Sequence, residues 1–262
     1  MVISSRAEFN AHLYQDDEDL WCAKYRGLEL SSVYQPIFAQ SGEILGVEAL
    51  LRIKNTQTQT PIAPNIVLDI NHHSIEECIN LDRLSRVIHI RNFAQSTFTN
   101  YQLFLNILPV ASEYNMAQAY PSLLLVERIR ELGLEPEQVV LEITESDSAN
   151  EELLRQAGEY LKKSGFQIAI DDYGSFASDI RRVDLIHPDI IKLDKGLLDE
   201  YCCGQTHVFD DIFQLCQATN TPAVIEGIER SEQLELMKNL GIHYFQGYYL
   251  ARPATLLQLN TP

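Results

Sequence analysis

Residues 32–51 read SVYQPIFAQSGEILGVEALL: two apolar runs, SVYQPIF (32–38) and LGVEALL (45–51), separated only by AQSGEI. With Ser41-Gly42 supplying turn residues in that gap, the two runs read as an antiparallel hairpin. Six more short runs follow: QLFLN (102–106), VVLEITE (139–145), QIAIDD (167–172), IIKLD (190–194), AVIEG (223–227) and YFQGYYL (244–250). Near-continuous apolar runs mark strands buried on both faces, as in a parallel sheet. Between them lie amphipathic segments such as SIEECINLDRLSRVIHI (74–90), in which Ser74 and Glu77 have the spacing of a capping box. Eight strands with interleaved helices predict an α/β fold, a closed (β/α)8 TIM-type barrel rather than an open sheet. A chain of 262 residues suits one such barrel. Residues 1–30 are predicted to form a short helical N-terminal extension and residues 31–262 the barrel domain.

The charge balance is 37 acidic against 20 basic side chains, a net −17. A field of that sign repels polyanions and argues against general nucleic-acid binding. A small anionic substrate stays compatible, because screening leaves only charges within about 8 Å in play and a bound cation inverts the local sign. Cys22, Cys78, Cys202, Cys203 and Cys216 show no CxxC spacing and leave an odd thiol, which predicts reduced cysteines and a cytoplasmic setting. The opening MVISSRAEFNAHLYQDDEDLW lacks the basic start and apolar run of a signal peptide. No apolar stretch approaches the ~20 residues of a membrane span.

Most of the strands end in a group foreign to a core: Glu48, Asn106, Glu142, Asp171 with Asp172, Lys192, Glu226 and Gln246. In a barrel, the C-terminal strand ends converge on one mouth. Any one of these residues alone is most simply a strand-end group capping the next helix. Together, the five carboxylates repel one another, and burial raises their pKa further. Hard divalent cations with oxygen ligands resolve that conflict, which predicts Mg²⁺ or Mn²⁺. The set holds neither Cys nor His, which argues against zinc. His72-His73 precedes a helix without an HExxH context and reads as a surface or capping pair.

YQPI (34–37), EALLR (48–52), LEITE (141–145), DDYG (171–174), KLD (192–194), EGIE (226–229) and QGYYLARP (246–253) resemble, in order, the motif series of the EAL-domain cyclic di-GMP phosphodiesterases. That resemblance implies a modified barrel with an antiparallel first strand, in agreement with the hairpin. It also implies metal-dependent hydrolysis of one phosphodiester bond of cyclic di-GMP to linear pGpG, in bacterial second-messenger signalling. By position, Glu48, Asn106, Glu142 and Asp171 match ligands of a first metal, and Asp172 and Glu226 complete a second with Asp171 shared. Lys192 matches a lysine that contacts the attacking water, and Glu145 a glutamate that anchors the loop after Asp172. Gln35, Arg52 and Gln246 match substrate-contacting positions, and a homodimer is a further implication.

Three departures stand out. Ser175-Phe176-Ala177 replaces the family's TGY, which predicts an altered loop and lowered activity. NILP (106–109) stands for NLSP, and the interval from Glu142 to Asp171 is slightly short. Two other functions stay open: a cyclic di-GMP receptor gripping its ligand through Arg52 and Gln35 without turnover, and an EAL fold that has exchanged its ligand for a protein partner. Relatives of both kinds lose metal ligands, and this chain keeps the full set.

Overall fold

The computed structural model describes residues 2–108, 121–144, 151–174 and 180–259. Eight strands close a barrel: β3 (Leu28–Ala39), β4 (Ile44–Asn55), β6 (Gln102–Ile107), β7 (Val139–Thr144), β8 (Gln167–Tyr173), β9 (Ile190–Leu193), β10 (Ala223–Ile225) and β11 (Tyr244–Phe245). Their order is β3-β11-β10-β9-β8-β7-β6-β4, and the β3–β4 pairing shuts the ring. β3 runs antiparallel to both of its barrel neighbours, whereas the other adjacent barrel strands pair in parallel. The hairpin read from Ser41-Gly42 is therefore present, and it is what reverses the first strand.

Among the helices, α2 (Pro64–Val67) and α3 (Ile75–Ala94) lead into β6, α4 (Pro121–Glu131) precedes β7 and α5 (Glu151–Lys163) precedes β8. Then α6 (Ile180–Ile186) precedes β9, α7 (Lys195–Cys202) and α8 (Asp210–Thr219) precede β10, and α9 (Ser231–Leu240) precedes β11. The start of α3 is the capping box read from sequence: the Ser74 hydroxyl accepts from the Glu77 amide, and the Glu77 carboxylate accepts from the Ser74 amide.

The extension corrects one expectation. Among its described residues only α1 (Arg6–Asn10) is helical; β1 (Leu13–Gln15) and β2 (Trp21–Tyr25) form an antiparallel meander that pairs with Leu28–Leu30 of β3. The acidic DDEDL turn made this segment read as polar, yet Ala23 and Tyr25 of the following strand are buried. The physical reason is an open edge. β4 pairs with β6 only over Gly46–Ala49, so the hairpin runs on past the barrel wall at its mouth end. There β2 and the short β5 (Pro61–Ile62) cover its two exposed edges. Helix α3 is gripped between this extension and the barrel, which explains why Asn80, Asp82, Ser85, Arg86, His89 and Asn92 on it are all buried.

Inside the barrel, Ile37, Phe104, Val140, Ala169, Ile190 and Val224 form one packed layer, with Tyr244 against it. Gly46 belongs to this level because a Cβ there would lie 2.9 Å from the Phe104 ring and 2.5 Å from the Gln102 carbonyl. The layer fills the barrel as a core, leaving chemistry to the level above it.

Candidate active site

Side chains alternate along a strand, so the residue two positions toward the mouth shares the inward face. Applied to the packed layer, that step leads from Ile37 to Gln35, Gly46 to Glu48, Phe104 to Asn106 and Val140 to Glu142. It leads likewise from Ala169 to Asp171, Ile190 to Lys192, Val224 to Glu226 and Tyr244 to Gln246. The next level of the interior is therefore polar on every strand. Gln35, Glu48, Glu142, Asp171, Lys192 and Gln246 are buried there, Glu226 is half-buried and Asn106 is exposed at the rim.

Strict alternation would send Asp172 outward. Instead β8 carries a bulge: Ile170 pairs with Ile191 and Tyr173 with Leu193, so Asp171 and Asp172 together face the single residue Lys192. Asp172 takes a left-handed backbone, φ 55°, which Asp tolerates better than most residues. As a result carboxylate oxygens of Asp171, Asp172 and Glu226 lie within 4.8 Å of one another.

Lys192 is the centre of charge. Its Nζ lies 2.8 Å from Glu142 Oε1, 2.9 Å from Asp171 Oδ1, 2.7 Å from Glu226 Oε1 and 3.4 Å from Glu48 Oε2. Burial alone would lower its pKa, but Asp171, Glu142, Glu226 and Glu48 hold it well above the usual lysine value, and the amine stays charged. Glu48 is also fixed from both sides, with Asn106 Nδ2 donating to Oε1 at 3.2 Å and Gln246 Nε2 to Oε2 at 2.7 Å. Gln35 Nε2 donates to the Ala251 carbonyl at 3.1 Å, and the Tyr34–Ala254 bridge ties that C-terminal stretch to β3. Arg52 stands exposed beyond the wall, its Nη1 donating to the Leu51 carbonyl, with no carboxylate paired to it among the described residues.

One lysine does not neutralise this mouth. Burial, then the Glu48 charge, raises the Glu142 pKa well above the ordinary value despite Lys192. Burial and the Asp171 charge push Asp172 up to about 6. Burial likewise raises Glu226 against the pull of Lys192. Glu142 Oε2 is buried with no hydrogen-bond partner among the described residues. An orphaned carboxylate oxygen and an all-oxygen donor set fit hard divalent cations. The residues present thus suit the predicted metals. Glu145 and the segment Ser175-Phe176-Ala177 lie outside the described residues.

Fold and mouth together define a TIM-type barrel protein with a carboxylate-rich pocket suited to divalent cations. The sequence matches the EAL domain family over residues 23–253, and the chain belongs to that family. It is 28% identical to the probable cyclic di-GMP phosphodiesterase PdeD of Escherichia coli (strain K12), over 97% of this chain and 45% of that protein, so it spans less than half of that relative's length. Among solved structures it resembles the Bacillus subtilis YkuI protein, with an EAL domain, in complex with substrate cyclic di-GMP and calcium. That match has 26% identity and a TM-score of 0.74, covering 86% of this chain and 56% of the other. The PaMucR phosphodiesterase in complex with cyclic di-GMP matches with 26% identity and a TM-score of 0.74, covering 88% and 94%. No helix among the described residues is long and apolar enough to cross a membrane.

Proposed function

We propose that this chain hydrolyses one phosphodiester bond of cyclic di-GMP to linear pGpG with the help of two divalent cations, Mg²⁺ or Mn²⁺. The observation that carries this reading is the cluster of Asp171, Asp172 and Glu226 oxygens set against the buried Lys192 at the barrel mouth. Asp171, Asp172 and Glu226 would hold one ion; Glu48, Asn106 and Glu142, with Asp171 shared, would hold the other. When bound, such ions supply Lewis acidity and offset charge that builds on the phosphoryl oxygens. The chain's own residues do the rest. Lys192 stays protonated, and as bound cations take over the carboxylates it now meets, one of its N–H groups would turn to the attacking water and orient it. Gln246 and Asn106 keep Glu48 from rotating. The water oxygen ends on phosphorus as the bond from phosphorus to the ribose 3′ oxygen breaks, and that oxygen leaves with a proton.

The test is turnover of cyclic di-GMP by the purified chain, with products separated by chromatography. Linear pGpG should accumulate with Mn²⁺ or Mg²⁺, stop in EDTA and resume on metal return. Ca²⁺ should support binding with little turnover, because its coordination is larger and looser. Unchanged hydrolysis in chelator would overturn the metal reading. Binding without product would indicate a receptor, and neither outcome an interaction module.

Arg52 tests the substrate side of the same site. Its exposed guanidinium suits a phosphate through paired, charge-assisted hydrogen bonds. Losing a bond of that kind costs about 1.5–3 kcal/mol, so Arg52→Ala should weaken cyclic di-GMP binding by about 10–100-fold. At saturating substrate kcat should change far less. A variant with unaltered affinity in equilibrium titration would remove Arg52 from the binding set.

A further inference from the structure

Two buried charges lie outside the mouth and have no part in the chemistry above. Asp82 and Arg86 are one turn apart on α3, with Arg86 Nη2 2.7 Å from Asp82 Oδ2, and both side chains are more than nine-tenths buried. The other oxygen, Asp82 Oδ1, accepts from the backbone amide of Leu108 at 3.2 Å. Leu108 is the first residue after β6, two positions beyond Asn106. Asn106 in turn donates to Glu48. Two hydrogen bonds joined by three residues of backbone thus connect the inner face of a helix to the rim of the site.

Stability is a poor explanation for such a pair. A buried ion pair is often replaced by apolar side chains of similar volume without loss, because desolvation offsets its attraction. The distinct thing this pair does is take an amide that the β6 ladder no longer reaches and fix it to a rigid helix. Arg86 holds the carboxylate in the rotamer that meets that amide.

We propose that Asp82, oriented by Arg86, is a positioning residue for Asn106: it anchors the backbone just past β6 and so sets where the Asn106 side chain stands beside Glu48. This inference rests on the reading of Asn106 and Glu48 as metal ligands. Outer partners that orient a ligand typically carry roughly 10–100-fold in metal affinity or activity.

The double variant Asp82→Leu/Arg86→Met removes the anchor without leaving a lone buried charge. Mn²⁺ affinity is read by calorimetry without substrate, turnover with cyclic di-GMP, and folding by thermal melting. The variant should melt near wild type, bind Mn²⁺ roughly 10–100-fold more weakly, and lose kcat at fixed metal. Its KM at saturating Mn²⁺ should move less than about threefold, since no substrate contact is touched. Asp82→Asn keeps an oxygen for the Leu108 amide; it should melt lower yet recover Mn²⁺ affinity to within about threefold of wild type. Leu108→Pro deletes the donor and leaves the ion pair, and it decides the matter if the double variant does not fold. Near-wild-type Mn²⁺ affinity in either anchor-free variant overturns the proposal. A wild-type chain that binds no Mn²⁺ removes the metal reading and this inference with it, whereas wild-type binding with unaltered variants removes the positioning role alone.

Discussion

Lys192→Met should lower the melting temperature of the metal-free protein by about 10 °C and its turnover by at least about 100-fold. The stability loss follows from the ion pairs: the Nζ lies within 3.4 Å of four carboxylates, and the side chain is 1% exposed. Removing one partner from a buried ionic cluster costs about 3–5 kcal/mol. In a chain of this size each kcal/mol shifts the midpoint by about 2–4 °C. Divalent cations should restore more stability to the variant than to wild type, because they supply the positive charge the lysine gave. They should not restore turnover. Affinity for cyclic di-GMP, measured with Ca²⁺, should change less than about tenfold because the ammonium faces the carboxylates rather than the rim. A variant that melts and turns over like wild type would refute both roles for Lys192.

Asp172→Asn should cost more than about 100-fold in turnover while leaving the fold intact, since asparagine accepts the left-handed backbone of this position. Its effect on metal-free stability should depend on pH with a definite sign. Burial and the Asp171 charge raise this carboxyl from 3.8 to about 6 in the folded protein. Between those values the folded state holds a proton that the unfolded chain has released. The stabilisation is complete below the unfolded pKa and is lost as pH rises through about 6. Relative to wild type, Asp172→Asn should therefore gain stability from about pH 4 to pH 6 and then level off. His89, held down to about 3 first by burial, carries the opposite slope, but it cancels because both proteins contain it. Saturating Mn²⁺ should reverse the wild-type trend, because the cation binds carboxylates only after their protons leave. A stability difference that stays flat with pH would show that Asp172 is not perturbed, and wild-type turnover would show that it is not a ligand.

Much of the site was legible along the chain because a barrel turns strand ends into neighbours. Glu48, Asn106, Glu142, Asp171, Lys192, Glu226 and Gln246 each interrupt or close an apolar run, and each stands on the inward face one level above the packed layer. Gln35 entered only through family resemblance. Its place follows from β3 running the other way, so that its mouth-facing residue precedes Ile37 rather than follows it. The N-terminal meander reads as helix along the chain because an acidic turn separates its two short strands, and its burial depends on an edge made by later residues.

What the sequence determined by itself was the number of barrel strands, the reversed first strand and the oxygen-rich character of the mouth, because hydrophobic period and turn chemistry are local properties. Tertiary structure alone decided how those groups meet. The bulge that turns Asp172 inward is a matter of register between β8 and β9. Lys192 becomes the shared counter-ion because barrel closure brings four strands to it. Asp82 reads as one more polar residue of an amphipathic helix until α3 packs against the end of β6 and its carboxylate meets the Leu108 amide. Contacts of that kind depend on distance through space, and the spacing of residues along the chain carries no record of it.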